Sequence, residues 1–349
     1  MGLAARQSEG EEDLDEAVRR TVECARAPST RRLYGAKWGV FASWCRSRGH
    51  DPQTCAVVIV LRFLQFLFQR ERAHSTLKVY VAAISAGRGA LGVASVGRDP
   101  RVAQFLKGAR RLRPPRGLRA PPWDLRLVLG SLVGAPYEPL DQVDLKFLAL
   151  KTLFLLAVCS AKRVGELHAL SVDEECIAWK PEGAGVRLWP NPFFLPKVLS
   201  AQAVNQVIDL DAFVSEQGRG HESRLLCPVR ALRAYVERTL PLRRSSQMFV
   251  CFGQSKLGQP ASKQRLSHWL VAVIASAYSE QGFPVPGGLV GHSTRGVATS
   301  WAALRGVPLA DICSAASWSS PCTFARFYRL NVASATSLSG SVLLTGAQR

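Results

Sequence analysis

A short segment about a third of the way along the chain constrains its fold more than any other sequence feature. Residues 113–122 contain four prolines and one glycine. Proline cannot continue a helix and cannot donate a hydrogen bond to a β-ladder. We therefore predict a semi-rigid linker at 113–122. It divides the 349 residues into two units, each long enough to bury a core of its own.

The two predicted units differ in their patterns. Apolar residues at helical spacing predict an all-helical unit over residues 27–112. In the second unit, residues 123–349, helical patterns surround three short runs typical of strands, at 176–179, 186–189 and 204–208. The expected fold class is therefore α+β, mainly helical with one small antiparallel sheet.

The charge distribution points to a polyanionic partner. The formal net charge is +19, and residues 1–26 alone carry −3, which leaves +22 on the rest of the chain. The acidic start predicts a solvated, disordered segment over residues 1–26. The basic remainder predicts binding to DNA or RNA.

Basic residues are concentrated at and before the linker, where no acidic residue interrupts them. We expect this segment to lie along a phosphate backbone; a solvated charge run is the alternative. Lys78 belongs to the basic face of the first unit and is predicted to contact DNA as well. The predicted contacts in and near the linker are Arg110, Arg111, Arg113, Arg116 and Arg119.

Other classes of protein are disfavoured. The nine cysteines include no C-x-x-C pair, which argues against a zinc site, and no cluster of Asp and Glu suits Mg²⁺. No secretory signal is recognisable. The most apolar stretches, 57–68 and 147–159, are interrupted by polar residues and too short to span a bilayer. We expect no metal, no cofactor and no membrane partner.

Two pairs of residues are spaced for phosphate chemistry. Arg163 follows a strongly apolar helix, and Glu166 lies three positions later on the same helical face, which predicts an ion pair. His292 and Arg295 have the same spacing at a predicted helix N-terminus. There the positive end of the helix dipole favours phosphate. Each pair alone is a common pattern.

A tyrosine completes the set of reactive groups. Tyr328 lies in an apolar helical segment 33 residues beyond Arg295, and Trp318 lies between them. A tyrosine in such a helix is by default a core or interface residue. Its position after the arginine and the His-Arg pair is what makes it a candidate nucleophile.

In this order, Arg163, His292, Arg295, Trp318 and Tyr328 resemble the catalytic set of the tyrosine recombinase/integrase family. The ordered set is far more specific than any part of it. The segments Ala-Lys-Arg-Val-Gly-Glu-Leu-His-Ala-Leu and His-Ser-Thr-Arg-Gly-Val-Ala-Thr-Ser-Trp are most similar to recombinases of DIRS-like retrotransposons. The resemblance covers residues 29–330. It implies that the first unit is a core-binding domain and the second a catalytic domain.

The resemblance implies a role for each residue. Arg163 and Arg295 hold the non-bridging oxygens of the scissile phosphate, for which the guanidinium fork is suited. His292 transfers a proton and binds the phosphate. Trp318 stands where many members have His, and it keeps an indole N–H donor. Tyr328 attacks phosphorus and forms a 3′-phosphotyrosine link.

The family's set also includes a lysine on a turn of the small sheet, which protonates the leaving 5′-oxygen. Lys197 is our choice, and Lys180 is the alternative, because sequence does not determine the register of the hairpin. Two arginines and a lysine supply the positive charge that metal ions supply in other phosphoryl-transfer sites.

The expected function is therefore site-specific DNA recombination for integration of a mobile element, by a homotetramer on two sites in double-stranded DNA. The basic linker suggests nuclear import and a place in the nucleus. A catalytically retired, transposon-derived DNA-binding protein is the first alternative. A type IB topoisomerase, which shares the nucleophile, is the second. A basic scaffold protein leaves the ordered set unexplained.

Overall fold

Two compact units, Met1–Gly117 and Leu118–Arg349, make up the chain. The computed structural model describes residues 15–88, 95–114, 122–196, 207–213, 221–330 and 332. Most of the predicted linker, 113–122, lies outside them. The described part of the first unit is helical, and the second combines helices with a three-stranded antiparallel sheet. The expected fold class is confirmed.

The described residues of the first unit form five α-helices, and the last four of them surround an aromatic core. Phe63 is fully buried at its centre, with the rings of Phe41 and Tyr80 at 5.1 and 5.5 Å. Pro100 opens the fifth helix, where its missing N–H is not needed, and Asp99 caps that helix. The helices are α1 (Glu16–Cys24), α2 (Pro28–Arg46), α3 (Val57–Gln69), α4 (His74–Gly87) and α5 (Pro100–Leu112).

Helix α1 differs from the prediction that residues 1–26 are disordered. The carboxylate of Asp15 accepts a hydrogen bond from the backbone N–H of Ala17 at 3.4 Å. Glu16 lies in the first turn, where the helix dipole favours a carboxylate. No glycine or proline interrupts residues 16–24. Local capping therefore outweighs the acidic composition there. Residues 1–14 lie outside the described residues.

The second unit is built around one central helix that is apolar on nearly all sides and is buried from residue 148 to 157. The helices that pack on this central helix α7 include α10, α11 and α12. The helices of the unit are α6 (Leu125–Ser131), α7 (Leu145–Ser160), α8 (Val164–His168), α9 (His221–Leu225), α10 (Pro228–Thr239), α11 (Lys263–Glu280), α12 (Ser293–Leu304), α13 (Leu309–Ala315) and α14 (Pro321–Thr323).

The sheet contains β1 (Ile177–Trp179), β2 (Gly185–Leu188) and β3 (Ile208–Asp211) in that order. The third strand was predicted over 204–208; residues 204–206 lie outside the described residues, and the described strand runs from Ile208 to Asp211. Residues 208 and 210 point into the core, whereas Asp209 and Asp211 point outward. Aspartate disfavours strands, but cross-strand ion pairs to Lys180 and Arg187 compensate here.

Candidate active site

Arg163 is placed by a sharp turn between two helices. Helix α7 ends at Ser160, and its C-cap, Ala161, adopts a left-handed conformation with φ of 51°. The chain then changes direction, and Arg163 becomes the N-cap of α8. Glu166 accepts hydrogen bonds from the backbone N–H of Arg163 at 2.6 Å and from its guanidinium at 2.9 Å. The expected ion pair is therefore present, and the Arg163 side chain stays 26 % exposed.

Glu166 also joins the two arginines of the set. Its second carboxylate oxygen lies 3.5 Å from Nη1 of Arg295 on α12, and the Arg295 side chain is fully buried. Burial, and after it the like charge of Arg163, lowers the pKa of Arg295 to about 10, although Glu166 opposes both. The guanidinium remains charged at neutral pH. One carboxylate thus holds two cations that come from separate parts of the chain.

Aromatic rings cover Arg295. Its guanidinium carbon lies 4.8 Å from the Trp318 ring centroid and 5.5 Å from that of Tyr328. Nη2 donates a hydrogen bond to the carbonyl oxygen of Ala316. Within the described part of the chain, Nε of Arg295 and Nε1 of Trp318 are buried donors without a hydrogen-bond partner. A buried donor without a hydrogen-bond partner destabilises the fold, and a bound oxyanion would accept a hydrogen bond from it. A ligand reaches Arg295 only if a ring moves.

Tertiary structure brings the tyrosine hydroxyl to the histidine. His292 is the N-cap of α12, and its Nε2 lies 3.0 Å from Oη of Tyr328. Tyr328 ends a π-helical turn, Phe324–Tyr328, that follows α14. The hydroxyl of Ser300 donates to the Tyr328 carbonyl at 3.0 Å and accepts from the Leu330 N–H at 2.9 Å. The tyrosine segment is thereby anchored on α12.

Trp318 lies beside Tyr328, as its inclusion in the predicted catalytic set implies. The two rings are 4.5 Å apart with an angle of 32° between them. Trp318 is held in a small buried cluster that is separate from the main core of the unit. Its members are Ala161, Ile312, Cys313, Ala316, Trp318 and Phe324. Because Ala161 lies two residues before Arg163, this cluster connects the tryptophan to the turn that places the arginine.

Lys162 is a site residue that sequence reasoning missed. It is 4 % exposed, and its Nζ donates a hydrogen bond to the hydroxyl of Ser317 at 2.9 Å. The pKa of Lys162 is lowered to about 8, chiefly by burial; Glu166 opposes the shift, whereas the charges of Arg295 and Arg163 favour it. One signal was available in the sequence: the lysine directly follows an apolar helix, where a side chain is more often buried than solvated.

Of the two lysines that the sequence offers for the sheet, the structure describes only Lys180. Lys180 forms ion pairs with Asp209 at 2.5 Å and Asp211 at 2.7 Å, and hydrogen bonds to these carboxylates raise its pKa. A lysine held by two carboxylates releases its proton less readily, so Lys180 is poorly suited to protonate a leaving group. Lys197 lies outside the described residues, and its role stays a prediction.

The predicted DNA contacts of the first unit lie on an exposed basic surface. Lys78 is on α4, and Arg110 and Arg111 are in the last turn of α5. His74 is the first residue of α4: burial lowers its pKa, and the charges of Lys78 and Arg110 lower it further. The fold thus brings together two of the basic residues that were proposed separately from the sequence.

The three linker arginines are only partly within the described residues. Arg113 donates a hydrogen bond to the carbonyl oxygen of Phe68 at 3.1 Å, and its guanidinium lies 4.3 Å from the Phe68 ring centroid. This arginine is exposed but anchored on α3. Arg116 and Arg119 lie outside the described residues, so their contact with DNA stays a prediction.

Among the described residues, no group of three or more His, Cys, Asp or Glu side chains is arranged to hold a metal ion. None of the helices found in those ranges is long and apolar enough to cross a membrane.

Solved structures with a similar fold are integrases bound to DNA. A lambda integrase dimer on a COC′ core site is 13 % identical, with a TM-score of 0.55 and coverage of 92 % of this chain and 95 % of that one. The Tn1549 transposon integrase with a circular-intermediate DNA is 10 % identical, with a TM-score of 0.54 and coverage of 95 % and 97 %. A lambda integrase tetramer on a Holliday junction is 12 % identical, with a TM-score of 0.52 and coverage of 91 % and 77 %.

Neither a family model nor a curated protein matches the sequence. At 10–13 % identity, the likeness to the integrases establishes the fold alone. That fold is the one shared by solved tyrosine recombinases, a helical first unit followed by a second unit that carries a small antiparallel sheet.

Proposed function

We propose that this chain is a tyrosine-type site-specific recombinase, which cleaves and rejoins double-stranded DNA through a 3′-phosphotyrosine intermediate. The observation that carries the proposal is the 3.0 Å separation between Oη of Tyr328 and Nε2 of His292. A tyrosine beside a proton acceptor, close to two arginines that share one carboxylate, is the arrangement that nucleophilic attack on a phosphodiester requires.

Each group has a role in the proposed reaction. Oη of Tyr328 attacks phosphorus and gives its proton to Nε2 of His292, which accepts it when the other ring nitrogen carries the proton. The Tyr–O–P bond forms as the bond from phosphorus to the 5′-oxygen breaks. Lys197 protonates that oxygen in this scheme. In the reverse step a 5′-hydroxyl attacks the phosphotyrosine and gives its proton to Lys197, while His292 returns its proton to the leaving Oη of Tyr328; the DNA backbone is restored.

The arginines stabilise the charge that develops on the phosphate. Arg163 is the accessible one of the two, and its guanidinium is already oriented by Glu166. Arg295 is covered by Trp318 and Tyr328. We propose that the two rings shift together away from Arg295 when DNA binds, so that they stay in contact with each other. The scissile phosphate then accepts hydrogen bonds from the buried donors of Arg295 and Trp318.

The proposed biological setting rests on the similar structures. They are an integrase dimer on a core site, an integrase tetramer on a Holliday junction and a transposon integrase on a circular-intermediate DNA. These support a homotetramer that acts on two DNA sites to integrate a mobile element. A nuclear location is proposed from the basic segment around residues 107–119.

One observation favours a second candidate, a retired recombinase that binds DNA without cleaving it. Arg295 is fully buried, and two aromatic rings cover its guanidinium. If this arrangement persists on DNA, Arg295 cannot touch phosphate and cleavage does not occur. The basic surface at Lys78 and Arg110 does not depend on the arrangement of the rings.

A trapping assay tests both candidates. Nicked, end-labelled duplexes from the DNA that flanks the coding sequence are incubated with the protein and with Tyr328→Phe, which keeps the ring but lacks the hydroxyl. A labelled covalent adduct on a denaturing gel, absent from the variant, is the expected result. Binding by both proteins without an adduct supports the retired DNA-binding protein. Relaxation of any supercoiled plasmid by a monomer supports a topoisomerase, and absence of DNA binding contradicts all three.

A further inference from the structure

Two buried cations hold the turn that presents Trp318. The turn follows helix α13 and runs through Ala316 and Ser317. Arg295 donates a hydrogen bond to the Ala316 carbonyl, and Lys162 donates one to the Ser317 hydroxyl at 2.9 Å. The backbone N–H of Trp318 donates back to a carbonyl of α13 at 2.8 Å. Contacts from α12, from the turn between α7 and α8 and from α13 thus restrain three consecutive residues.

The conformation of Ser317 requires such restraint. Its φ is 55°, in the left-handed region that residues other than glycine rarely adopt. A non-glycine residue persists in this conformation only where its surroundings hold it there. The hydroxyl of Ser317 is the group that Lys162 contacts. The lysine is therefore positioned to stabilise the turn that leads directly into Trp318.

We propose that Lys162 is a positioning residue for the nucleophile, acting through the Ser317 turn and the Trp318 ring on Tyr328. The Trp318 ring lies 4.5 Å from the Tyr328 ring and 4.8 Å from the Arg295 guanidinium. A shift of the turn therefore moves the surface on which the tyrosine ring rests. This inference builds on the proposed function and adds a residue that the ordered catalytic set does not contain.

The charges around Lys162 link its position to the pH. The charged groups that act on it are Glu166 and Arg163 at the start of α8 and Arg295 on α12. Together with Lys162 they carry two more positive than negative charges. The pKa of Lys162 is about 8, against an ordinary value of 10.5, so the ammonium loses its proton just above neutral pH. The neutral amine donates a weaker hydrogen bond to Ser317.

Activity and stability should respond to pH in opposite directions. Loss of the ammonium proton above about pH 8 loosens the turn, so the rate of adduct formation falls. The folded-state pKa lies below the unfolded value, so the unfolded chain binds more protons between pH 8 and 10.5. The contribution of Lys162 to stability therefore rises with pH in that window. A lysine with only a structural role produces the second effect without the first.

The experiment compares Lys162→Met and Lys162→Arg with the native protein. The control is Lys256→Met, which removes an exposed lysine from the same unit. Measurements are DNA affinity, thermal unfolding, and the single-turnover rate of adduct formation on nicked DNA from pH 6.5 to 9.5. For Lys162→Met we expect the DNA affinity to stay within about twofold of native. The rate of adduct formation should fall by about 100-fold, as for other misplaced reacting groups. Its pH profile should lack the break near pH 8 that the native protein shows.

A second pair of variants tests the pathway through Ser317. Ser317→Gly removes the hydroxyl and also the cost of the left-handed conformation, so the variant folds. We expect Ser317→Gly to lower the rate as well, and the double variant with Lys162→Met to be no slower than Lys162→Met alone. Multiplicative losses in the double variant, or an unchanged rate and pH profile in Lys162→Met, would overturn the inference.

A spectroscopic readout separates this inference from the proposed function. If the native protein forms no adduct, the proposed function fails, and the ¹³Cζ resonance of Tyr328 still reports on ring position. Tyr328→Phe assigns the resonance. We expect Lys162→Met and Ser317→Gly to shift it and Lys256→Met to leave it in place. A resonance that is the same in all of these proteins contradicts the positioning role.

Discussion

Because Glu166 contacts both arginines, we predict that Glu166→Gln lowers the stability of the second unit and the rate of adduct formation. The substitution keeps the size and one acceptor oxygen but removes the charge. The carboxylate accepts from Arg163 at 2.6 and 2.9 Å and lies 3.5 Å from Nη1 of Arg295. Two guanidiniums, one of them fully buried, thereby lose their shared counter-charge. A buried cation without its counter-charge is costly.

The expected loss follows from these contacts. A hydrogen bond to a charged group contributes roughly 1 kcal/mol more than a neutral one, and the two hydrogen bonds from Arg163 to Glu166 both weaken, so we expect destabilisation of about 2 kcal/mol. For a unit of this size, that lowers Tm by about 4–8 °C. Adduct formation should fall as well, since neither guanidinium keeps its orientation.

Differential scanning calorimetry measures the effect, with the transitions of the two units analysed separately. The matched control is Glu237→Gln, which neutralises an exposed carboxylate on α10 and should change Tm by less than about 2 °C. If Glu166→Gln unfolds at the same temperature as the control, the shared carboxylate contributes nothing and the reasoning is refuted.

Three further predictions concern DNA contacts and the lysines. Lys78→Ala and Arg110→Ala should each weaken binding to DNA of any sequence and reduce the slope of log affinity against log salt by about 1; an unchanged slope places the residue away from phosphate. The pKa of His74, which burial and these two cations lower, should rise when DNA phosphates neutralise them, as measured by NMR titration with and without DNA. Lys197→Ala should slow adduct formation on intact DNA, and less so on substrates with a good leaving group, whereas Lys180→Ala should have little effect on the rate. A larger loss of rate in Lys180→Ala than in Lys197→Ala would make Lys180 the proton donor.

The register of the sheet shows where sequence reasoning stopped. A strand ending in Asp209 and Asp211 looks unfavourable from propensity alone. It forms because Lys180 and Arg187, on or beside the neighbouring strands, neutralise the carboxylates. Such pairing depends on which residues face one another, and side-chain alternation along one strand does not contain that information. The same limitation left Lys180 open as a catalytic candidate.

The sequence by itself determined the division into two units, the mainly helical fold class and the order of the reactive residues. These follow from local properties: prolines that end helices, apolar periodicity, and the spacing of Arg163 from Glu166 and of His292 from Arg295. Each depends on residues that are close along the chain.

Only the tertiary structure decided which groups touch. It brought Tyr328 to His292, joined the two arginines through Glu166, covered Arg295 with rings and buried Lys162 against Ser317. The physical reason is that burial, and with it the lowered pKa of Lys162, arises from packing between segments that are distant in sequence. The sequence shows which reactions a side chain is capable of, whereas its neighbours in the folded protein decide which role it takes.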